Sequence, residues 1–298
     1  MLVTKPIIMT DATCDMPKEY ITNNNIPFLG LMCNFKSNEY EDDFWNSLDY
    51  KYFYAELRNG EMPYTMQVNE YRFLKKFRQL LKEHRPIIYI GISSAISGTF
   101  NSSKLAREEI LDEFKDADIT VIDSKGASIG LGLLVYHAVE MAEQGYNKDD
   151  IVEWVEQNKN KMNYWFVVDD LKHLQRGGRI SSSKAVIGRI LDVKPIIVIH
   201  KDGALKNVAN IRGKKKAFKY LIQRFKEAGI HTQDQLIGIS HGDCMGDCMG
   251  DAMILKNMLE KEFPNNKFII APLGLGIASH CGSGMVSLCF LGKTRDYE

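Results

Sequence analysis

Four small hydroxyl residues crowd one strand-to-helix junction in the segment GISSAISGTFNSS (91–103). Hydroxyl groups at such a junction can cap the free backbone N–H groups of the helix, and the positive end of the helix dipole attracts negative charge. One N-cap serine would explain a single hydroxyl, whereas this loop supplies Ser93, Ser94, Ser97 and Thr99 within seven residues. The pattern favours an anion-binding site, with a simple helix cap as the alternative.

Arginine and histidine stand in two further glycine-rich segments. LQRGGRIS (174–181) places Arg176 and Arg179 around a diglycine. The planar guanidinium group donates two parallel hydrogen bonds to a carboxylate or phosphate, although a diglycine before a basic residue is also an ordinary helix stop. PLGLGIASHCGSG (272–284) surrounds His280 with small residues. There the imidazole can bind an anion, act as a base or cap a turn.

Other site chemistries find little support. GLGIAS lacks the Gly-x-Gly-x-x-Gly frame of a dinucleotide site, and the chain has neither a Gly-Lys-Ser/Thr phosphate loop nor a Gly-x-Ser-x-Gly elbow. His241, Cys244 and Cys248 are three candidate metal ligands, but structural zinc takes four. The repeat GDCM-GDCM explains them as a tandem duplication that lengthens the next helix by about one turn. We predict no catalytic residue and no metal site.

Strands that alternate with helices position these loops in the first half of the chain. PIIMTD (6–11), IIYIGIS (87–93) and ITVIDS (119–124) each precede a helical pattern, as in βαβ units with a parallel sheet. Open sheets of this kind hold ligands in the loops that follow the carboxyl ends of the strands. The charged, aromatic segment 34–63 has weak helical periodicity and is predicted to be a solvated connecting helix with an aromatic inner face.

The second half has the pattern of a mixed α+β domain. A polar helix at roughly 148–162 leads into it, a hairpin turn is predicted at 201–203, and helices are predicted at 213–228 and about 247–262. The predicted strands are WFVVDDL, KPIIVIHKDG, ALKNVANIR, QLIGISH and FIIAPLG. We predict an α/β protein of two domains, an N-terminal α/β/α domain with a parallel sheet (1–162) and a C-terminal α+β domain with a mixed sheet (163–298).

The composition is that of an ordinary globular protein. In 298 residues, 45% are hydrophobic and 26% charged, which excludes disorder, collagen and a coiled-coil rod. With 38 basic and 38 acidic residues the formal net charge is zero, so nucleic acid is an unlikely partner. Six cysteines without a Cys-x-x-Cys pair, and an N-terminus without a signal-peptide pattern, predict a cytoplasmic protein. No apolar run approaches transmembrane length.

Eight motifs, in order along nearly the whole chain, resemble the DegV family of bacterial lipid-binding proteins. They are TDATCDMP (10–17), PYTMQVN (63–69), ISSAISGTFNSS (92–103), VIDSKGASIGLG (121–132), LQRGGRIS (174–181), LDVKPII (191–197), IRGKKKA (211–217) and IASHCGSG (277–284). The resemblance implies the two-domain DegV-like fold, with one long-chain fatty acid held between the domains and no cofactor. It also implies a carrier without catalytic activity that presents the acyl carboxylate to a separate kinase, as the binding subunit of bacterial fatty acid kinase does.

Carried over by position, the resemblance also implies a set of ligand-binding residues. Thr65, Ser94 and Ser97 match carboxylate-binding hydroxyls, and Arg179 and His280 match residues near the head group. The sequence departs from the family pattern at Met66, Val68, Asn69, Cys281 and Ser283. The bulkier Met66 is expected to shorten or redirect the tunnel, and so to change the acyl length that fits.

Two alternatives of other classes remain open on the sequence alone. An enzyme of the dihydroxyacetone-kinase class would use a histidine to hold a small carbonyl substrate covalently. A protein-interaction module would use the segment IRGKKKAFKYLIQRFK (211–226) as a basic face, although a solvated helix surface, or a docking surface for the kinase, explains it as well.

Overall fold

The structure is a computed structural model and describes residues 4–181, 192–242 and 248–297. A four-stranded parallel sheet forms the N-terminal part, in the order β2-β1-β6-β7. Its strands are β1 (Ile7–Asp11), β2 (Phe28–Leu29), β6 (Ile87–Gly91) and β7 (Ile119–Asp123). The sequence predicted β1, β6, β7 and their parallel pairing, because runs of buried isoleucine are what a sheet covered on both faces requires.

Helices cover both faces of this sheet. On one face, α3 (Glu70–Leu80) and α4 (Thr99–Glu113) pack against β1 and β6. On the other face lies α5 (Ser128–Glu143), with α1 (Lys18–Asn23) and α6 (Lys148–Asn158) beside it. The predicted α/β/α layering is confirmed.

A six-stranded mixed sheet forms the C-terminal part, in the order β10-β9-β8-β13-β11-β12. Of its neighbouring pairs, β11 and β12 are parallel and the others antiparallel. The strands are β8 (Met162–Val167), β9 (Val193–Ile199), β10 (Leu205–Arg212), β11 (Leu236–His241), β12 (Lys267–Pro272) and β13 (Val286–Leu291). The mixed sheet and five of these strands were predicted, whereas β13 was missed.

One face of the mixed sheet is covered by α8 (Lys214–Ala228) and α9 (Cys248–Glu262), as predicted. The helix predicted at 148–162 ends earlier, at Asn158, and residue 162 already begins β8. Two short helices complete the C-terminal part, α7 (Lys172–Arg176) and α10 (Leu275–Cys281). The division of the chain into two domains at residue 162 stays a prediction.

Helix α5 packs against both sheets. It contacts β1 and β6 on one side and β8, β11 and β13 on the other, and apolar side chains are buried all around it. A helix that is apolar on every side belongs inside a protein, and here it forms the layer between two sheets. Gly130 allows this packing, because a Cβ atom there would lie 2.2 Å from the Tyr164 ring.

The segment 34–63 differs from the prediction of one connecting helix. It contains the end of β3, all of β4 and the helix α2 (Tyr50–Arg58). The two strands belong to a small antiparallel sheet, in the order β4-β3-β5, whose third strand follows the segment. The strands are β3 (Met32–Phe35), β4 (Asn38–Glu41) and β5 (Tyr64–Met66). The β3–β4 turn uses Lys36 and Ser37, both with positive φ, without the Asn-Gly or Asp-Gly pair that marks such turns in sequence. The aromatic inner face was correctly predicted, since Phe53 packs against Phe35 and Trp45.

Within the described ranges, no helix is long and apolar enough to span a bilayer.

We expect Gly130→Ala to lower the free energy of unfolding by about 1–3 kcal/mol, because the added methyl group overlaps the buried Tyr164 ring. Gly250→Ala is the matched control, since Gly250 lies in α9 with open space at its Cβ position and should gain up to about 1 kcal/mol from helix propensity. Urea denaturation of the three proteins tests this, and equal effects of the two substitutions would contradict the packing described for α5.

Candidate functional site

A cavity with mostly apolar walls lies between the parallel sheet and the mixed sheet. Its apolar lining comes from both halves of the chain: Leu31, Ile92, Ile96, Ala127, Phe166, Leu174, Ile199, Leu205, Ile277 and Met285. Its polar lining consists of Thr13, Thr65, Ser97, Ser128, Arg179, His280 and Ser287. Such a surface suits a ligand that is largely hydrocarbon and carries one polar group.

Thr65 and His280 meet at the wall of this cavity. Thr65 is the middle residue of β5, so strand alternation turns its side chain inward while Tyr64 and Met66 face outward. His280 lies in the last turn of α10, and its Nε2 is 2.7 Å from the Thr65 hydroxyl oxygen. The sequence singled out both residues, and the structure brings them into direct contact.

The surroundings of the other ring nitrogen decide which group donates in this pair. His280 Nδ1 is buried, has no hydrogen-bond partner among the described residues, and faces Gly177, where a Cβ atom would come within 2.3 Å of it. A buried N–H group without an acceptor is rarer and more costly than an unused lone pair. We therefore assign the proton to Nε2, which donates to Thr65 and leaves the Thr65 hydroxyl proton free for a ligand.

His280 is neutral at physiological pH. Burial, followed by the positive charges of Arg179 and Arg176, lowers its pKa from 6.5 to about 4. The charged form would also need an acceptor at Nδ1, where the described residues provide none. His280 therefore serves as a neutral hydrogen-bond donor.

Arg179 brings a positive charge to the same wall. Its Nε donates to the carbonyl of Ile96 at 3.0 Å and its Nη1 to the carbonyl of Gly177 at 2.5 Å. Among the residues that the structure describes, no carboxylate pairs with this guanidinium, and burial lowers its pKa. A partly buried arginine without a counter-ion beside a cavity attracts an anionic ligand group.

The diglycine of LQRGGRIS has two separate roles. Gly177 ends α7 with ordinary helical dihedrals, and its missing side chain makes room for the His280 ring. Gly178 has φ +71°, a conformation that favours glycine, and turns the chain toward Arg179. The helix stop and the placement of the guanidinium, which the sequence offered as alternatives, are therefore both present.

The hydroxyl residues of the 91–103 segment have different positions. Ser97 lines the cavity, and its Oγ donates to the Thr99 hydroxyl at 3.0 Å and accepts from the Thr99 N–H group. Ser94 is exposed and is not part of the lining, since its Oγ accepts from Lys125 on the surface. Ser93 is buried and donates to the carbonyl of Gly203. The structure thus brings Ser97 to Thr65, Arg179 and His280, but does not bring Ser94 there.

Two lining serines belong to a buried chain of hydroxyl groups. Ser287 and Ser240 lie 2.7 Å apart, Ser240 and Ser128 lie 2.9 Å apart, and Ser128 donates to Asp15 at 2.5 Å. Since each hydroxyl has one proton and this chain uses it, Ser128 and Ser287 form a satisfied part of the wall. Thr65 and Arg179 remain the better donors for a ligand.

Sequence reasoning missed two buried carboxylates at the other end of α10. Asp15 accepts from the N–H of Gly274 at 2.8 Å, and Asp42 accepts from those of Leu275 at 3.1 Å and Gly276 at 2.8 Å. A Cβ atom at Gly274 or Gly276 would lie about 3 Å from these oxygens. Burial raises the pKa of Asp42 to about 6 and that of Asp15 well above its ordinary value. The glycines of PLGLG were the available signal, because they indicate a close approach rather than a dinucleotide site.

The positions at which the sequence departs from the family pattern lie in different parts of the structure. Met66 is 36% exposed and is not part of the lining, which contradicts the expectation that it shortens or redirects the tunnel. Val68 is buried against α3 in a different part of the core. Cys281 does line the cavity, so a change there alters its wall. Cys244 and most of the GDCM repeat lie outside the described residues.

The fold and the cavity define a class of protein, a two-sheet α/β protein with an apolar cavity between its sheets. The chain belongs to the DegV family, since the family model described as "Uncharacterised protein, DegV family" matches residues 5–293. The DegV domain-containing protein CPE0026 of Clostridium perfringens is 42% identical over 292 residues, which cover 98% of this chain and 99% of that protein.

Two solved structures of similar fold are of proteins described as binding, or loaded with, a fatty acid. DegV from Bacillus subtilis, described as a fatty acid binding protein, has a TM-score of 0.82 at 28% identity, over 97% of this chain and 100% of that one. The fatty acid kinase B3 protein of Streptococcus pneumoniae, loaded with linoleic acid, has a TM-score of 0.82 at 20% identity, over 97% and 100% of the two chains. The second likeness concerns the fold alone.

His280 should make stability depend on pH in a defined direction. Because its folded pKa lies near 4 and its unfolded pKa near 6.5, the unfolded chain binds the extra proton first, and stability falls as the pH drops through this window. Between pH 7 and pH 4 the wild type should lose about 3 kcal/mol more than His280→Gln, which retains a donor but does not titrate. Urea denaturation across this range measures the difference. The pKa of His137 is also lowered to about 4, but His137 is common to both proteins. Equal losses would show that His280 is not held neutral.

Proposed function

We propose that this protein binds a long-chain fatty acid, with the carboxylate accepting hydrogen bonds from Thr65 and Arg179, beside Ser97 and His280, and the tail in the cavity between the sheets. The observation that carries the proposal is an apolar cavity whose wall holds an arginine without a described counter-ion next to a threonine with a free proton. The four residues form a connected group, because Arg179 bonds to the residue preceding Ser97 and its charge acts on His280, which bonds to Thr65. The lipid ligands named for DegV proteins of known structure support the same assignment.

Tail and head group would contribute differently to binding. A chain of some 15 methylenes, at about 0.8 kcal/mol each, gains on the order of 12 kcal/mol on full burial before the cost of ordering is subtracted. A carboxylate that accepts from Thr65 and Arg179 contributes a smaller amount, but it fixes the direction in which the ligand enters. The tail therefore supplies most of the affinity and the polar residues supply orientation.

We further propose that the bound carboxylate is presented to a separate kinase, in the cytoplasm, and that this chain is not itself an enzyme. A fatty acid carboxylate is ionised at neutral pH and can attack the γ-phosphorus of ATP directly, forming an acyl phosphate and releasing ADP. The attacking oxygen carries no proton, so the carrier needs no general base, and a neutral His280 that holds Thr65 is sufficient. The kinase designation of the Streptococcus pneumoniae relative in fold supports this role.

The dihydroxyacetone-kinase-like alternative fits the geometry less well. A histidine that holds a carbonyl covalently needs a ring nitrogen with a free lone pair facing the substrate. His280 Nε2 is engaged with Thr65, and Nδ1 is enclosed against Gly177. The carrier proposal requires neither nitrogen to react.

The basic segment 211–226 fits the interaction-module alternative only in part. The apolar side of α8 is buried in the core through residues such as Phe218, Leu221 and Phe225. The lysines at 215, 216 and 219 border a shallow surface depression with Arg212. We propose this surface for contact with the kinase rather than as a separate function.

Thr65→Val should reduce affinity for palmitate roughly 10- to 100-fold, because it removes a hydrogen bond to a charged acceptor while keeping the side-chain shape. Displacement of a fluorescent fatty acid, after delipidation and refilling, measures this. Thr22→Val is the matched control: Thr22 bonds within α1, away from the cavity, and its substitution should leave affinity unchanged.

The same assay distinguishes the two serines of the 91–103 loop. Ser97→Ala should lose more affinity than Ser94→Ala, since Ser97 lines the cavity and Ser94 does not. A wild-type protein that is empty as purified, by native mass spectrometry, and takes up neither myristate, palmitate nor stearate would contradict the proposed ligand.

The carrier role predicts no acyl phosphate when the purified protein is mixed with palmitate and ATP alone. Hydroxylamine converts an acyl phosphate to a hydroxamate, which mass spectrometry detects. Hydroxamate should appear only after a fatty acid kinase catalytic subunit is added. Its formation by this chain alone would overturn the carrier role in favour of an enzyme.

A further inference from the structure

Asp42 joins α10 to the small sheet that carries Thr65. It follows β4 directly, and its own N–H donates to the carbonyl of Leu31 beside β3 at 2.8 Å. Its carboxylate accepts from Leu275 and Gly276 in the first turn of α10, one N–H on each oxygen. Asp42 is fully buried, so these contacts are not exchanged with water.

Two further contacts between the same sheet and the same helix follow along α10. Cys33 Sγ lies 3.4 Å from the hydroxyl oxygen of Ser279, and the Thr65 hydroxyl lies 2.7 Å from His280 Nε2. Cys33 on β3 is the register partner of Thr65 on β5. The contacts therefore run from the first turn of the helix to its last turn, and the Thr65–His280 bond is the final one.

We propose that Asp42 is a positioning residue for the carboxylate site: it holds the first turn of α10 against the sheet and so sets where His280 meets Thr65. The effect on the ligand rests on the proposed function, whereas the effect on the His280 ring does not. Helix α10 has seven residues, which is about two turns, so a shift at its start is carried to its end.

The carboxylate form of the side chain is essential to this role. Two backbone N–H groups point at two different oxygens, and asparagine offers one oxygen and an NH2 group that would face the second N–H. Asp42→Asn therefore keeps the size of the side chain and removes one of the two bonds. Asp15 cannot replace Asp42, because it contacts the N–H of Gly274, outside the helix, and comes from the loop after β1.

The first measurement is made without ligand. In the wild type, nitrogen NMR of the imidazole should show a neutral His280 with the proton on Nε2. In Asp42→Asn the pKa of His280 should rise toward 6.5, because the ring leaves its enclosed position. Asp49→Ala is the matched control: it removes the side-chain cap of α2 in the same segment and has no described bond to α10, so it should leave the His280 signals in place.

The second measurement is a double-mutant cycle with palmitate. Asp42→Asn should weaken binding about tenfold in the wild-type background and less than about twofold in the His280→Gln background, because the two residues act in series. A general structural role would lower affinity equally in both backgrounds. Equal losses, or an unchanged His280 spectrum, would overturn the proposal.

Two further outcomes are distinguishable. If the wild type binds no fatty acid, the proposed function fails, and the ligand-free spectrum still decides the role of Asp42. If Asp42→Asn does not fold, Trp45→Phe takes its place, because it removes the Trp45 Nε1 bond to the Leu273 carbonyl in the loop that leads into α10 and keeps an aromatic ring beside Phe53. It should shift the His280 signals in the same direction by a smaller amount, and no shift would overturn the proposal.

Discussion

The packing of α5 between two sheets is the constraint on which the site depends. A helix in that position holds the two sheets apart by its own width and fills the gap with apolar side chains along its length. The helix begins at Ser128, so it does not fill the space between the sheets that lies beyond this end. The cavity lies at this point, since Ala127 and Ser128 form part of its wall together with Ile92, the residue that follows β6, and Tyr164 of the mixed sheet. Because α5 ends before the two sheets do, a space that a ligand could occupy remains between them.

The charged side chains near this site are of two kinds: most have partners within the fold, and one is available to a ligand. Asp42 is occupied with the backbone N–H groups of α10, and Asp11 accepts from the N–H of Ile92 and the hydroxyl of Tyr89. Arg295, fully buried in the C-terminal tail, donates to backbone carbonyls from several segments, among them Lys125 and Ile199. Neither Arg295 nor Arg179 has a described carboxylate partner, but Arg179 differs because it lines the cavity, where a ligand can reach it. A bound carboxylate would supply the opposite charge.

Hydrogen-bond direction ties the structure to the proposed chemistry. His280 is neutral and its Nδ1 is enclosed, so its one N–H group, at Nε2, donates to the Thr65 hydroxyl. Thr65 then has its own proton available for an acceptor. In the proposed complex this arrangement would bind a carboxylate without protonating it. A carboxylate that stays ionised remains a nucleophile, which a carrier for phosphorylation requires.

The sequence alone predicted the parallel and mixed sheets and the family, because hydrophobic runs and short motifs are local patterns. It offered Ser97, Arg179 and His280 from their motifs, and Thr65 from the family resemblance, as candidate ligand residues. It could not determine the β3–β4 hairpin, whose turn residues Lys36 and Ser37 carry no turn signature, nor the exposure of Ser94, which stands three residues from Ser97 in the same loop. Nor could it show that Asp42 meets Gly276, 234 residues away. Such pairings exist only after the chain has folded, because a carboxylate and a backbone N–H group that are far apart in sequence come together only in the tertiary structure. Tertiary structure therefore decided which of the candidate polar residues face the cavity and which ones hold the others in place.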